Sequence, residues 1–424
     1  MNRRINLIAL SAMLIAASCS NDFTEQVNQG TEIGFNASVG GPTRATEVVL
    51  STLGDFKVHA HSVSHNGDIY ETPLIDNMTA KKSQTVENLW ALDGAQVYWP
   101  SDVPSIKTWA YYPADLTGVT MNYTNQSIAN YSPKKSADAA NKNDGAVQQD
   151  VLVAYTKAER SNGTSIDVTF KHALCHVGVY AKKGTSGNKN VFIKGAWIVN
   201  AKSSNTLAFD TDKSVWSWNT FADAAAKTVY GYEFPEGAEL HSADRPLLSV
   251  NNANSSLMLL PQKLDKWDLA STDKEVNAAK GAYIVLLCRV EAVHEGTIHD
   301  GGTDDGIKIE NGKHIHQMFP YTKNFDENEY GYTCVPIDTE WKMGKKYIYT
   351  LEFCGAHSGA GIYPPTADII ASLPSSNGEF KYIQTLPDGK KIGDAVLDNP
   401  ISFKVKVDEW GTDDEWTEGN VGMQ

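Results

Sequence analysis

Short runs in which apolar and polar residues alternate one by one are what most limit the folds open to this 424-residue chain. From Ser165, the residues Ile166, Val168 and Phe170 fall on one face of an extended strand. Near the start, Glu32–Val39 does the same with Ile33, Phe35, Ala37 and Val39. Near the end, Ile401-Ser-Phe-Lys-Val-Lys-Val407 sets Ile401, Phe403, Val405 and Val407 against a serine and two lysines. A period of two makes strands and does not make helices, whose apolar stripe recurs every three or four residues.

Further strands are expected at Gly54–His61, Ala95–Pro100, Ser105–Pro113, Asp150–Ala154, Ala173–Tyr180, Val191–Val199, Ser256–Leu260, Ala282–Val290 and Lys346–Phe353. Strands do not alternate with helical stretches, which excludes a parallel α/β sheet. The expectation is an all-β chain of two Greek-key β-sandwich domains with long loops and a few short helices, ahead of a barrel. The second domain is expected to open with Ser165, giving domains over 45–164 and 165–424. Asn122–Gln149 reads as a polar loop with a helical turn near Ser136–Lys142, and a second turn is expected near Ala367–Ala371. A net charge of −14 excludes a nucleic-acid partner, because phosphates attract the opposite sign.

The first residues set the compartment. Met1-Asn-Arg-Arg4 is a positive n-region, and Ile5–Ala17 is apolar yet too short to span a bilayer. The small residues Ala16, Ala17 and Ser18 then lead into Cys19, which resembles a lipobox, although Ala16 stands where leucine is usual. The plainer alternative is an ordinary cleaved signal that happens to hold a cysteine. The expectation is a signal peptide over 1–18 and a lipid-anchored segment over 19–44. Acyl chains on Cys19 would contribute about 0.8 kcal/mol per buried CH₂. After the strand at Glu32–Val39, Gly40-Gly-Pro-Thr-Arg-Ala45 forms a turn open to proteases, with Arg44 as its basic point.

Candidate chemical sites are few, and each has a plain structural explanation. His59, His61 and His65 form H-x-H-x3-H, a spacing that could grip a metal from one strand face, or simply a solvated polar face. His294-Glu-Gly-Thr-Ile-His299 misses the helical HExxH spacing by one residue. Asp300, Asp304 and Asp305 make a weak Ca²⁺ candidate, and a solvated acidic hairpin tip explains them better. Cys175, Cys288, Cys334 and Cys354 are too dispersed for a zinc site, and spacing alone does not pair them. Trp216 and Trp218 could stack on sugar rings or fill a core. No constellation assembles a catalytic site, and no cofactor is expected.

Together, several segments resemble the fimbrillin family of Bacteroidales surface lipoproteins, subunits of proteinase-assembled (type V) pili. They are Ala17-Ser-Cys19, Ile33-Gly-Phe-Asn-Ala37 with Thr43-Arg-Ala45, Tyr98-Trp-Pro100, and Trp109-Ala-Tyr-Tyr-Pro113. Asp150–Ala154, Phe170–Leu174, Tyr347–Leu351, Gly359–Tyr363 and Pro400–Trp410 complete the set in order. The resemblance implies two transthyretin-like sandwiches, no enzymatic activity, and cleavage after Arg44 by an arginine-specific surface protease. It implies that Ile33, Phe35, Ala37 and Val39 are plugs of a removable strand, later replaced by a neighbouring subunit's strand from its C-terminal part. Ile401, Phe403, Val405 and Val407 form the candidate donor or last strand, with stalk and tip roles both open. The implied partners are other fimbrial subunits, that protease, and a host or bacterial surface glycan or protein. The alternative is a surface lipoprotein that binds glycans without polymerising.

Overall fold

A computed structural model describes residues 32–40, 50–134, 148–162, 165–185, 187–243, 246, 248, 257–268, 271–295, 307–321, 324–365, 373, 381–383 and 386–410. The first half carries β1 (Gly34–Val39), β2 (Phe56–Val63), β3 (Ile75–Lys82), β4 (Leu89–Leu92), β5 (Ser105–Tyr112), β6 (Val119–Met121), β7 (Gln126–Tyr131), β8 (Leu152–Glu159) and β9 (Ser165–His172). Next come β10 (Cys175–Lys183), β11 (Lys189–Lys202), β12 (Asn205–Asp210), β13 (Val215–Trp218), β14 (Lys227–Glu239), β15 (Leu257–Leu259) and β16 (Gln262–Lys263). Helix α1 (Lys274–Lys280) starts where the Asp273 side chain accepts the Val276 N–H. The last strands are β17 (Tyr283–Glu295), β18 (Ile307–Glu310), β19 (Lys313–Phe319), β20 (Glu329–Pro336), β21 (Glu340–Trp341), β22 (Lys345–Phe353), β23 (Lys381–Ile383) and β24 (Ser402–Glu409). The chain is all-β, as the alternation implies.

Seven strands close into a ring in the order β1-β4-β3-β2-β5-β8-β9. Its interior is filled by Phe35, Phe56, Val58, Trp90, Trp99, Ile106, Ile166, Val168 and Phe170 among others. The sheet of this half closes on itself. The strand that opens with Ser165 completes this first ring. The reason lies in β9, whose inward Ile166, Val168 and Phe170 pack on Phe56 and β1, and not on the later strands. Later in the chain, β12 and β13 return to pair with β7 and β6 in the order β13-β12-β7-β6.

That small sheet covers the outside of the ring. Trp109, Tyr111 and Val153 on β5 and β8 meet Ile128, Leu207 and Trp216 in one buried cluster. The β7 strand corrects the loop reading of Asn122–Gln149: Ile128 of β7 is its buried apolar anchor within polar surroundings. Conversely, Ala95–Pro100 is not a strand. There Tyr98 makes one isolated bridge to Glu32, while the Trp99 indole fills the ring and donates to Val103 O at 2.8 Å. The helical turns expected near Ser136–Lys142 and Ala367–Ala371 lie outside the described residues.

In the second unit, the sheet β15-β10-β22-β24 faces a larger sheet built on β14-β11-β17-β19-β18. Val177, Val179, Tyr349 and Leu351 from one side meet Ile193, Ile198, Ile284 and Leu286 from the other. This half is a sandwich. Cys175, Cys288, Cys334 and Cys354 are each buried as free thiols, and burial pushes each thiol pKa up, so they pack as small hydrophobes.

The polar face of β2 is not solvated as its pattern implies. His59 and His61 are buried with their Nε2 atoms 2.8 Å apart, and His61 packs against Trp109 and Tyr123. Burial, with repulsion from His61, lowers the His59 pKa from 6.5 to about 4 despite Asp76 nearby. In β10, burial with Lys346 and His172 lowers that of His176 to about 3. The unfolded chain therefore takes up protons on these rings at higher pH than the folded chain does. Their contribution to stability is complete above about pH 6.5 and is lost as the pH falls, by up to about 1.4 kcal/mol per pH unit for each ring. Urea midpoints measured from neutral pH down to about pH 4.5 should fall accordingly. His176→Leu should shallow that slope, and an unchanged slope would remove His176 from this account.

Candidate functional site

Between β4 and β9 lies a single strand, β1, and its side chains explain how it is held. Parallel register with β9 sets Phe35 beside Ile166, Ala37 beside Val168 and Val39 beside Phe170. Pairing with β4 is shorter, limited to Phe35 with Trp90 and Asn36 with Leu89. Three further backbone bonds flank it: Ile33 N–H to Val97 O at 2.8 Å, Ala37 N–H to Asn88 O at 3.3 Å, and Gly40 N–H to Phe170 O at 3.0 Å.

Ile33, Phe35, Ala37 and Val39 point into the ring. Ile33, Phe35 and Ala37 are buried, and Val39 is half-buried against the same core. Phe35 meets Phe56 edge-on at 6.5 Å, and Phe56 in turn contacts Phe170 at 5.0 Å and Trp90 at 5.7 Å. The outward residues carry the polar register: Asn36 donates to Asp167 at 3.0 Å and Ser38 to Thr169 at 3.2 Å. Cys19, Arg44 and Ala45 lie outside the described residues, as do Asp300, Asp304 and Asp305.

The far end of β1 opens on a groove of about 590 Å³ lined by Gly40, Lys171, His172, Trp216, Glu409 and Trp410. Trp410 follows β24 and joins the two units. Its indole stacks on His172 at 4.4 Å and 4° and tilts over His176 at 5.2 Å, while its backbone N–H donates to Gly344 O at 2.9 Å. Gly344 can offer that carbonyl because it sits at φ +69°, where a side chain would be strained. His172 is fixed from its other side by Asp150 at 2.7 Å.

Strand β24 is the edge of its sheet, paired to β22 from Lys345–Glu409 through Glu352–Ser402. Ile401 and Val405 are buried and Phe403 half-buried, but Val407 is 48 % exposed, so the expected apolar face is only partly covered. Trp216 is buried, and the indole N–H groups of Trp216 and Trp218 donate to Ala154 O and Ala173 O. Both indoles are hydrogen-bonded into the packing of the small sheet on the ring.

His294 lies in strand β17, not in a helix, and His299 lies outside the described residues. The structure brings His294 instead to His314 and His316, a group the sequence reading missed. Its local signal was the H-x-H at 314 and 316, which only strand pairing connects to His294.

Family-level similarity runs through most of this architecture. Residues 43–361 match the model of a family described as fimbrillin-like. The chain belongs to the fimbrillin-like family. No curated protein matches the sequence. Among solved structures, a fimbrial protein from Bacteroides vulgatus aligns over 90 % of this chain and 100 % of its own, with TM-score 0.51 and 12 % identity. At that identity the likeness is one of fold. A structure from Bacteroides uniformis described as a cell adhesion protein covers 89 % and 98 % of the two chains, with TM-score 0.39 and 13 % identity. One from Parabacteroides distasonis, described likewise, covers 90 % and 97 %, with TM-score 0.40 and 10 % identity. No helix of this fimbrillin-like chain is long and apolar enough to cross a membrane among the described residues.

Proposed function

We propose that the chain is an adhesive fimbrial subunit that reaches the cell surface as an outer-membrane lipoprotein tethered at Cys19. Cleavage between Arg44 and Ala45 by an arginine-specific surface protease then frees β1, and a neighbouring subunit's strand takes its place. The observation that carries this reading is the ring topology, in which β1 alone joins β4 to β9 among the described residues. Family membership supports the fimbrial role, and the fold shared with a fimbrial protein agrees with it. Losing β1 would leave β9 with a row of unpaired backbone groups and would empty the pockets of Ile33, Phe35 and Ala37. The two larger side chains represent about 1.5–3 kcal/mol of apolar transfer each, so an open slot favours refilling by strand addition.

The donor we infer is β24, which supports a stalk role. Ile401, Phe403, Val405 and Val407 repeat the plug spacing of Ile33, Phe35, Ala37 and Val39, with the same residue at three of the four positions. As an edge strand, β24 can leave without cutting a sheet in two, and its exposed Val407 would gain burial in the slot of Val39.

The test is limited digestion by an arginine-specific protease. Wild-type protein should be cut first after Arg44 and then form higher oligomers, while Arg44→Ala should stay uncut there and monomeric. Assembly of Arg44→Ala at the wild-type level would end the strand-exchange reading. A peptide spanning 400–409 should bind cut protein and not uncut protein, and Phe403→Asp in the peptide should abolish capture. Capture of a surface glycan by a chain that never assembles would favour the non-polymerising alternative.

A further inference from the structure

We propose that His294, His314 and His316 form a binding site for a divalent transition metal of the zinc type on the outer face of the β17–β19 ribbon. Antiparallel register sets His294 directly opposite His314. His316 lies two residues further along β19, so the period of two returns it to the same face, diagonal to His294. One ring nitrogen from each of the three histidines lies within 4.8 Å of the others. The core-facing residues of β19 are instead Ile315, Gln317 and Phe319, which leaves the histidine face outward.

The chemistry of the three rings suits a metal. The Nε2 atoms of His294 and His316 are 2.8 Å apart, with ring centroids at 4.9 Å and 21°. At that separation both nitrogens cannot carry a proton, so at least one lone pair is already present as a metal ligand requires. A tetrahedral ion with Zn–N bonds of about 2.0–2.1 Å holds its nitrogens about 3.3 Å apart, so the His294–His316 pair opens by about half an ångström to admit an ion, while His314 closes in from within 4.8 Å.

Three imidazole ligands select zinc-like, copper or nickel ions over calcium or magnesium. His314 is 8 % exposed and forms the floor, while the half-buried His294 and His316 form the rim. A bound ion would staple β19 to β17 across the solvent face.

The untagged protein, stripped with chelator, is titrated with Co²⁺ and then Zn²⁺. The expected result is one Co²⁺ per chain with the intense visible absorption of four-coordinate cobalt, lost on adding Zn²⁺. His316→Gln or His294→Gln should weaken binding by about tenfold or more, at least the effect of losing an outer-shell partner. His59→Gln, at the buried pair in β2, should leave it unchanged. Both glutamine variants lie on the rim, and an unchanged circular dichroism spectrum and melting curve without metal establishes that they fold. Absence of saturable binding overturns the proposal, as does binding that survives both glutamine variants.

Discussion

Replacing Phe35 by alanine in the uncut chain is expected to destabilise the first unit by about 3–5 kcal/mol, the range for deleting a buried aromatic side chain. Phe35 is 0 % exposed and stands edge-on to Phe56, which packs in turn on Phe170 and Trp90. The surrounding wall is made of strands locked in a closed ring, so it cannot collapse fully onto the cavity. Urea unfolding followed by tryptophan fluorescence measures the loss, because Trp90, Trp99 and Trp109 all lie in this unit. A loss below about 1 kcal/mol would contradict the packing. The same variant also tests release. Once the chain is cut after Arg44 and β1 has gone, wild type and Phe35→Ala become the same polypeptide and their stabilities should converge. A difference that persists after cutting means that β1 stays in place.

Trp410→Ala carries the second large effect, again about 3–5 kcal/mol. This indole is 2 % exposed between His172 of the first unit and His176 of the second, in a cluster that includes Trp109, Val151, Val153 and Leu174. Its removal takes apolar contact from both units at once. The expected result is that unfolding of the two units separates into two transitions, while Trp410→Phe keeps most of the coupling. Unchanged stability would show that the units are joined by the small β12–β7 sheet alone. Because Trp410 directly follows β24, the variant should also make β24 easier to withdraw, and capture by a cut neighbour should become faster.

Much of the fold was legible from local pattern. Ile33, Phe35, Ala37 and Val39 could be placed on one face because a strand's side chains alternate whatever it pairs with. The same rule exposed β9, β11, β17, β22 and β24 to within a few residues. It failed where burial came from a second layer. His59 and His61 look like a wet face, yet both are buried, and Trp109 and Tyr123 pack against His61. Gln126–Tyr131 looks like loop because most of its residues are polar, and it becomes a strand only because β12 and β6 border it. The histidine group was invisible for the same reason. His314 and His316 are neighbours in sequence, but His294 reaches them only through the β17–β19 register.

The sequence by itself determined the all-β class, the inward face of the first strand, the resemblance to fimbrillins, and the absence of a recognisable catalytic motif. All of these are written within short windows of residues. Only the tertiary structure decided that Ser165–His172 closes the first ring, that Trp410 bridges the two units, and that three histidines meet on one face. The physical reason is the range of the interactions. Alternation is set by the geometry of one strand, whereas partners such as Ala37 and Val168 meet because the apolar faces of many distant strands must close over one core.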